Sequence, residues 1–353
     1  MKVLLYSEML EKINKSGLGR AVYHQKKALE KVGVECTFDK KERFDLLHIN
    51  TYFHRSYFLA KDCQKAGIPI VYHAHSTMDD FQNSFKGSNL IAPLFKFWIK
   101  TCYELGDVII TPTNYSKKIL QSYGLTQNIY AISNGIDLPS FKEVPNAREY
   151  FCKHFGFDNK DFIVMGVGLF IERKGILDFI NLAKELPNMK FIWFGETNLK
   201  IIPKHVSLAI QNAPKNLIFP GFVPNEEIKL SLQACDVFLM PTFEETEGIP
   251  VLEASASRTP MIIRDIPVFD GWLENKRDVY KAKDFNDFKR LLCLMQEGKL
   301  ADLTSSAYKL AQERDLSIIG EKLKNVYKTA LRRRQVVSKT PSFFKKVSKN
   351  LKY

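Results

Sequence analysis

The chain has 353 residues, 45% hydrophobic and 26% charged, with a formal net charge of +13. That length suits two ordinary α/β domains, each with its own core, and the composition is that of a soluble globular protein. No run of 18 uninterrupted apolar residues occurs, which excludes a membrane span, and six scattered cysteines without a Cys-x-x-Cys pair exclude a disulfide frame or zinc site. The cysteines read as free, mostly buried thiols in a reducing cytosol. The charge is unevenly spread. Residues 1–140 carry 18 Lys/Arg against 13 Asp/Glu, residues 141–330 carry 26 of each, and the last 23 carry 8 basic and no acidic side chains. Such asymmetry points to an anionic partner, lipid headgroups or nucleic acid, with a merely solvated basic surface as the alternative.

Val3 to Tyr6 reads as a short buried strand, and the opening Met1–Tyr6 is too short for a signal peptide. After a loop, Gly17-Leu18-Gly19 precedes a helix marked by Ala21, Val22, Ala28, Leu29 and Val32. Two glycines just ahead of a helix let backbone amides approach a phosphate, although a plain tight loop has the same pattern. Asp45–Asn50 and Pro69–His75 are further strands. The second ends in His73 and His75, alternate residues on one side, which serve structure as readily as function. No carboxylate or cysteine sits at ligand spacing beside them, so no metal role is expected.

Within 85–103, Ile91, Leu94, Phe95, Trp98 and Cys102 recur at helical spacing, widened by Phe97 and Ile99 and flanked by Lys86, Lys96 and Lys100. Part of this stripe is core. Phe95 and Trp98 bordered by Lys96 and Lys100 also describe an interfacial helix lying among headgroups. Asp107–Thr113 is another strand, Ser116 opens the next helix as a cap, and Ile129–Ser133 leads into Asn134-Gly135-Ile136-Asp137. Residues 138–160 form a linker and entry helix.

A second series of strands starts at Phe162–Gly168 and continues with Lys190–Gly195, Asn216–Gly221, Asp236–Met240 and Pro260–Asp265. Arg173-Lys174-Gly175 heads the helix after the first of these, where two cations and helix-terminal amides suit a pyrophosphate. After Asp236–Met240 comes an acidic loop with Glu245, then Gly248, Ile249 and Pro250 where a helix starts, with Glu253 in its first turn. Carboxylates at the carboxyl end of a parallel strand suit a ligand rich in hydroxyls, although acidic residues also decorate helix N-termini for the macrodipole alone. From Asp284 to about Ala330 the pattern is helical. The tail adds Arg332, Arg333, Arg334, Phe343 and Phe344, a composition suited to a surface-induced helix on an anionic leaflet or to non-specific nucleic-acid binding.

Glu245, Gly248 and Glu253 match the Glu-x7-Glu motif of retaining glycosyltransferases of family 4, and Asn134–Asp137, Lys174-Gly175 and Gly17/Gly19 match in position. The run from Glu244 to Arg258, continued by Arg264-Asp265-Ile266-Pro267, resembles bacterial diglycosyl-diacylglycerol synthases, which add a second hexose to monoglycosyl-diacylglycerol. The likeness covers nearly all of residues 1–330. It implies an α/β GT-B fold: two Rossmann-like domains with parallel sheets facing across a cleft, and a C-terminal helix crossing back. The expected divisions are 1–140, 141–310, a returning helix 311–330 and a basic tail 331–353.

The resemblance assigns Glu245 to the donor hexose, Glu253 to the ribose, and Gly248 and Ile249 to the same donor loop. It gives His75 a donor contact, Gly17, Gly19, Arg173 and Lys174 to the leaving diphosphate, and Glu196 and Gly221 to the base. The family's usual arginine is absent at Leu169, a charge Arg173 is positioned to replace. No Asp-x-Asp occurs, unlike metal-dependent GT-A enzymes, so neither cofactor nor metal is expected and protein cations take the metal's place. The implied activity is retaining transfer of a hexose from a UDP-sugar to a glycolipid, α-monoglucosyl-diacylglycerol, at the cytoplasmic face of the membrane as a peripheral protein, with no nucleic acid expected. A family 4 transferase acting on a cell-wall or capsular polysaccharide is the alternative, and a non-catalytic nucleic-acid-binding protein the remote one.

Overall fold

The computed structural model describes residues 1–13 and 17–339. The first sheet holds β1 (Lys2–Tyr6), β2 (Glu35–Thr37), β3 (Leu46–Ile49), β4 (Ile70–His73), β5 (Val108–Thr111) and β6 (Asn128–Ala131), in the order β2-β1-β3-β4-β5-β6. The second holds β7 (Ile163–Val167), β8 (Lys190–Phe194), β9 (Leu217–Gly221), β10 (Val237–Met240), β11 (Met261–Arg264) and β12 (Tyr280–Ala282), in the order β12-β11-β10-β7-β8-β9. Every pairing is parallel. Parallel sheets are covered on both faces, and the inner strands are accordingly continuous apolar runs: VIIT in β5 and VFLM in β10 are buried throughout.

The chain divides into two compact units. One comprises Met1–His75, Phe97–Ile132 and the chain from Ser317; the other comprises Ser76–Lys96 and Ser133–Leu316. Residues 76–96, grouped with the N-terminal domain by sequence position, therefore cluster with the second unit, and the chain returns at Ser317 rather than 311. Five helices matter for function: α1 (Gly17–Lys31), α2 (Ser88–Tyr103), α3 (Ile176–Glu185), α4 (Ile249–Ala256) and α5 (Leu316–Lys339).

The core of the second unit is aromatic. Phe179 of α3 meets Trp193 of β8 edge-on with centroids 4.9 Å apart, and Phe191 and Phe288 are sealed nearby. In the first unit, α5 packs against α1 where Gly320 allows close approach; a Cβ there would stand 2.1 Å from the Ala28 carbonyl oxygen. Lys324 Nζ donates to the Val32 carbonyl (2.8 Å), and Arg333 Nη1 to the Asp107 carbonyl (3.1 Å). Arg334 pairs with Asp107 and donates to the Gln64 carbonyl. The arginine run expected in a basic tail thus lies inside α5. Arg333 and Arg334 clamp it to the sheet, and Arg332 alone of the three is exposed. Phe343 and Phe344 lie outside the described residues.

Candidate active site

In the second sheet the strand order reverses direction between β7 and β10, and open α/β sheets bind ligands at the carboxyl ends of such a pair. Both charged loops leave from these ends. Glu172–Lys174 forms one helical turn, closed by Gly175 in the left-handed conformation at φ 73°. A Cβ on Gly175 would stand 2.1 Å from the Pro241 carbonyl oxygen, so glycine is what lets this turn seat against the end of β10. Seated there, Lys174 Nζ forms an ion pair with Glu245, and the two side chains are only 17% and 9% exposed. Thr242 Oγ1 donates to the same carboxylate (3.2 Å).

Arg173 is held on three sides. Its Nε donates to Ser84 Oγ (3.1 Å), its Nη1 to the Glu244 carbonyl (2.7 Å), and its own carbonyl accepts from Phe243 N (2.8 Å), with Thr242 Oγ1 3.0 Å away and its one proton shared between that carbonyl and Glu245. Its Nη2 makes no hydrogen bond among the described residues, which leaves an N–H edge for an anion. Leu169, at the family's arginine position, is 41% exposed and contributes no charge.

These charges set one another's protonation. Burial, with Arg173 beside it, lowers the Lys174 ammonium below the ordinary lysine value despite Glu245. Burial alone would raise the Glu245 carboxyl, but Lys174 and Arg173 outweigh it and hold it below the usual value. Asp80 belongs to the same electrostatic cluster: burial, reinforced by Glu245 and opposed by Arg173, pushes its carboxyl up to about 6. It sits in a capping box with Thr77, while the Asp80 carbonyl accepts from Ser84 Oγ (3.0 Å). Neither Asp80 nor Ser84 stood out in the sequence, because both lie about 90 residues from Arg173.

Glu247 was missed as well. It is buried, and its Oε2 accepts from Asn134 N (2.9 Å) and Nδ2 (2.7 Å), fastening the Asn134-Gly135 segment to the glutamate loop. Gly248 caps α4 just before Ile249. Glu253 is the fifth residue of α4, past the first turn where the sequence pattern put it, and is buried. Arg264 stacks over the exposed Phe243 at 3.9 Å and donates to the Pro241 carbonyl (3.0 Å). Glu196 and Gly221, at the ends of β8 and β9, are neighbours, with Glu196 Oε2 3.2 Å from where a Gly221 Cβ would be.

In the first unit, Gly17 and Gly19 lie within the described span of α1 rather than in a loop ahead of it. His75 follows β4 and stacks on His73 with centroids 4.0 Å apart; His73 stacks in turn near His48 at 5.3 Å. Burial pushes His48 and His75 down to about 3 and His73 well below the ordinary histidine value, so all three rings are neutral.

Helix α2 turns a different face outward from the one expected. Phe95 stacks on Phe81 at 4.1 Å, Trp98 Nε1 donates to the Tyr52 carbonyl (2.6 Å), and Lys100 pairs with Glu104, while Lys96 is half-buried. The indole is drawn inward because its N–H finds a backbone acceptor there. Leu90, Ile91, Leu94 and Phe97 are the exposed apolar residues instead, with Leu90, Leu94 and Phe97 70–85% exposed. No helix among the described residues is long and apolar enough to cross a membrane.

Residues 37–139 match Glycosyltransferase Family 4, and residues 148–328 match Glycosyl transferases group 1. The chain is 41% identical over 333 residues to the processive diacylglycerol alpha-glucosyltransferase of Acholeplasma laidlawii, covering 94% of this chain and 99% of that protein. It is 27% identical over 276 residues to the alpha-galactosylglucosyldiacylglycerol synthase of Streptococcus pneumoniae, covering 76% and 73%. Among solved structures, Anabaena HepE in complex with UDP and glucose superposes with a TM-score of 0.75 at 17% identity, covering 93% of this chain and all of that one. Sucrose-phosphate synthase from Thermosynechococcus elongatus gives 0.75 at 15%, covering 96% and 100%. These likenesses show the fold: two Rossmann-like domains of the GT-B kind.

Proposed function

The chain belongs to glycosyltransferase family 4, and on that premise we propose that it transfers a hexosyl group from a UDP-sugar to a membrane glycolipid with retention at the anomeric carbon. The acceptor is α-monoglucosyl-diacylglycerol and the product a diglycosyl-diacylglycerol. The 41% likeness to a diacylglycerol glucosyltransferase across nearly the whole chain supports this substrate class. One observation carries the chemistry: Arg173, Lys174 and Glu245 meet at the strand ends where the second sheet reverses.

As the sugar–phosphate bond breaks, negative charge builds on the leaving diphosphate. Lys174 and the open Nη2 edge of Arg173 stabilise it, fixed in place before the reaction by Glu245, Ser84 and the Glu244 carbonyl. Glu245 also takes donor hexose hydroxyls and Glu253 the ribose, with Gly248 and Ile249 framing the loop. Glu196 and Gly221 flank the base. Gly17, Gly19 and His75 keep the donor contacts that the resemblance implies. Because two side-chain cations serve the diphosphate, transfer requires no added metal, and EDTA is expected to leave the rate unchanged.

The exposed apolar residues of α2, with Lys86 and Arg332, support peripheral attachment to an anionic leaflet on the cytoplasmic side. Replacing Leu94 and Phe97 together by Asp is expected to weaken binding to anionic vesicles at least about tenfold. Unchanged sedimentation would remove α2 from the membrane surface.

The test of function is incubation of the purified protein with radiolabelled UDP-glucose or UDP-galactose and monoglucosyl-diacylglycerol in anionic vesicles. Label in a diglycosyl lipid is expected with one of the two donors. Label that enters only a capsular or cell-wall polysaccharide acceptor would overturn the glycolipid assignment.

A further inference from the structure

Behind His75 runs a buried polar chain through the first unit. The Tyr327 hydroxyl on α5 meets His48 Nδ1 at 2.6 Å, and His48 Nε2 meets His73 Nδ1 at 3.2 Å. Gln25 Nε2, from α1, reaches both His73 Nδ1 (3.0 Å) and Asn50 Oδ1 (2.7 Å), and Asn50 Oδ1 also meets His75 Nε2 (2.8 Å). Gln25, Asn50, His48 and His73 are all buried.

With the Gln25 and Asn50 amides oriented as in the structure, the Gln25 amide nitrogen sets the direction of these bonds, because it can only donate. His73 Nδ1 and Asn50 Oδ1 therefore accept. Since Asn50 Oδ1 accepts, His75 Nε2 must carry the proton. A neutral imidazole has one N–H, so the His75 lone pair lies on Nδ1. That atom makes no hydrogen bond among the described residues, and the ring is half-buried rather than sealed. Among the described residues, the titratable groups facing His75 are His73, stacked on it, with His48 and the Tyr327 hydroxyl behind. None supplies a negative charge, in keeping with a ring that burial holds neutral.

We infer that Asn50 is a positioning residue: it locks His75 in the Nε2–H tautomer, so that the ring meets a donor-sugar hydroxyl as a hydrogen-bond acceptor at Nδ1. The inference rests on the reading that His75 contacts the donor. The sugar hydroxyl donates, and the imidazole gives up no proton. Selectivity follows from this polarity, because a donor sugar lacking that hydroxyl, or carrying an ether there, leaves Nδ1 unpaired.

Two measurements test it. Nitrogen-15 correlation spectra of histidine-labelled wild-type protein, with His75 assigned by its loss in His75→Ala, are expected to show the Nε2–H tautomer near neutral pH. The Nδ1–H tautomer would overturn the proposal, and this readout depends on no variant folding. In Asn50→Asp, a carboxylate faces the same N–H and raises the imidazole pKa. Between about pH 6 and 9, kcat/KM is then expected to fall about tenfold per pH unit below a new ionisation and recover above it. Asn50→Leu is expected to lose activity at every pH without that ionisation. A wild-type profile in Asn50→Asp would overturn the positioning role. Wild-type transfer by His75→Ala, with the Nε2–H tautomer in place, would instead overturn the donor-contact reading beneath it.

Discussion

The two units each gather polar side chains at the ends of parallel strands, but they keep them in opposite states. Beyond β7 and β10, Lys174, Glu245 and Arg173 are packed together and remain charged, because each buried ion has an opposite partner or a fan of fixed acceptors. Within and just past β3 and β4, His48, His73 and His75 are packed as closely with no counter-ion among the described residues, and the cheaper outcome is to shed the proton. The same burial therefore produces a preorganised charge in one place and a neutral acceptor in the other. What decides between them is the presence of a fixed opposite charge, not depth.

The largest way to break that contrast is to remove one ion from the charged cluster. Lys174→Met leaves Glu245 buried without its partner. It is expected to cost ~3–5 kcal/mol of stability in urea melts, and to lower kcat by on the order of 10²–10³. A variant as stable and active as wild type would show that the pair is not coupled.

The neutral cluster is broken with acid. The His48 pKa in the folded state, about 3, is depressed below the ordinary 6.5, so the unfolded chain binds more protons in between. Its stabilisation is complete above pH 6.5 and is lost as pH falls toward 3. The expected slope is about 1.4 kcal/mol per pH unit for each fully buried ring. Urea midpoints measured across that window should fall, and His48→Gln should flatten the slope; parallel curves would contradict the assignment of neutral rings.

Smaller changes sharpen the comparison. Gly175→Ala puts a side chain in a left-handed conformation against the Pro241 carbonyl and should cost more than about 1 kcal/mol. Its transfer rate should fall further than stability explains, because Lys174 shifts with the turn. Tyr327→Phe removes only one hydrogen bond, to His48, and is expected to lower stability by ~1 kcal/mol in the same melts.

Much of this was legible in the chain. Continuous apolar runs such as VIIT and VFLM announce buried parallel strands, and the charged loops after β7 and β10 stand out by motif and position. The edge strands β2 and β12 were not, since three residues carry no period. Nor were Ser84, Asp80, Glu247 and Asn50, whose meaning comes from partners far along the chain. The outward face of α2 was misassigned for a related reason: periodicity identifies an amphipathic helix, but only the Tyr52 carbonyl and the Phe81 ring decide which aromatic residues turn inward. Arg333 and Arg334 read as tail charges until Asp107 and the Gln64 carbonyl claimed them.

The measurement that bears most directly on the account is the rate of hexose transfer from UDP-hexose to monoglucosyl-diacylglycerol by Lys174→Ala, Glu245→Ala and the double variant. If the ion pair presents the cation to the leaving diphosphate and the carboxylate to the sugar, each single change should lower kcat at least about a hundredfold. The double change should cost less than the product of the two. Transfer by the double variant at the wild-type rate would contradict the account.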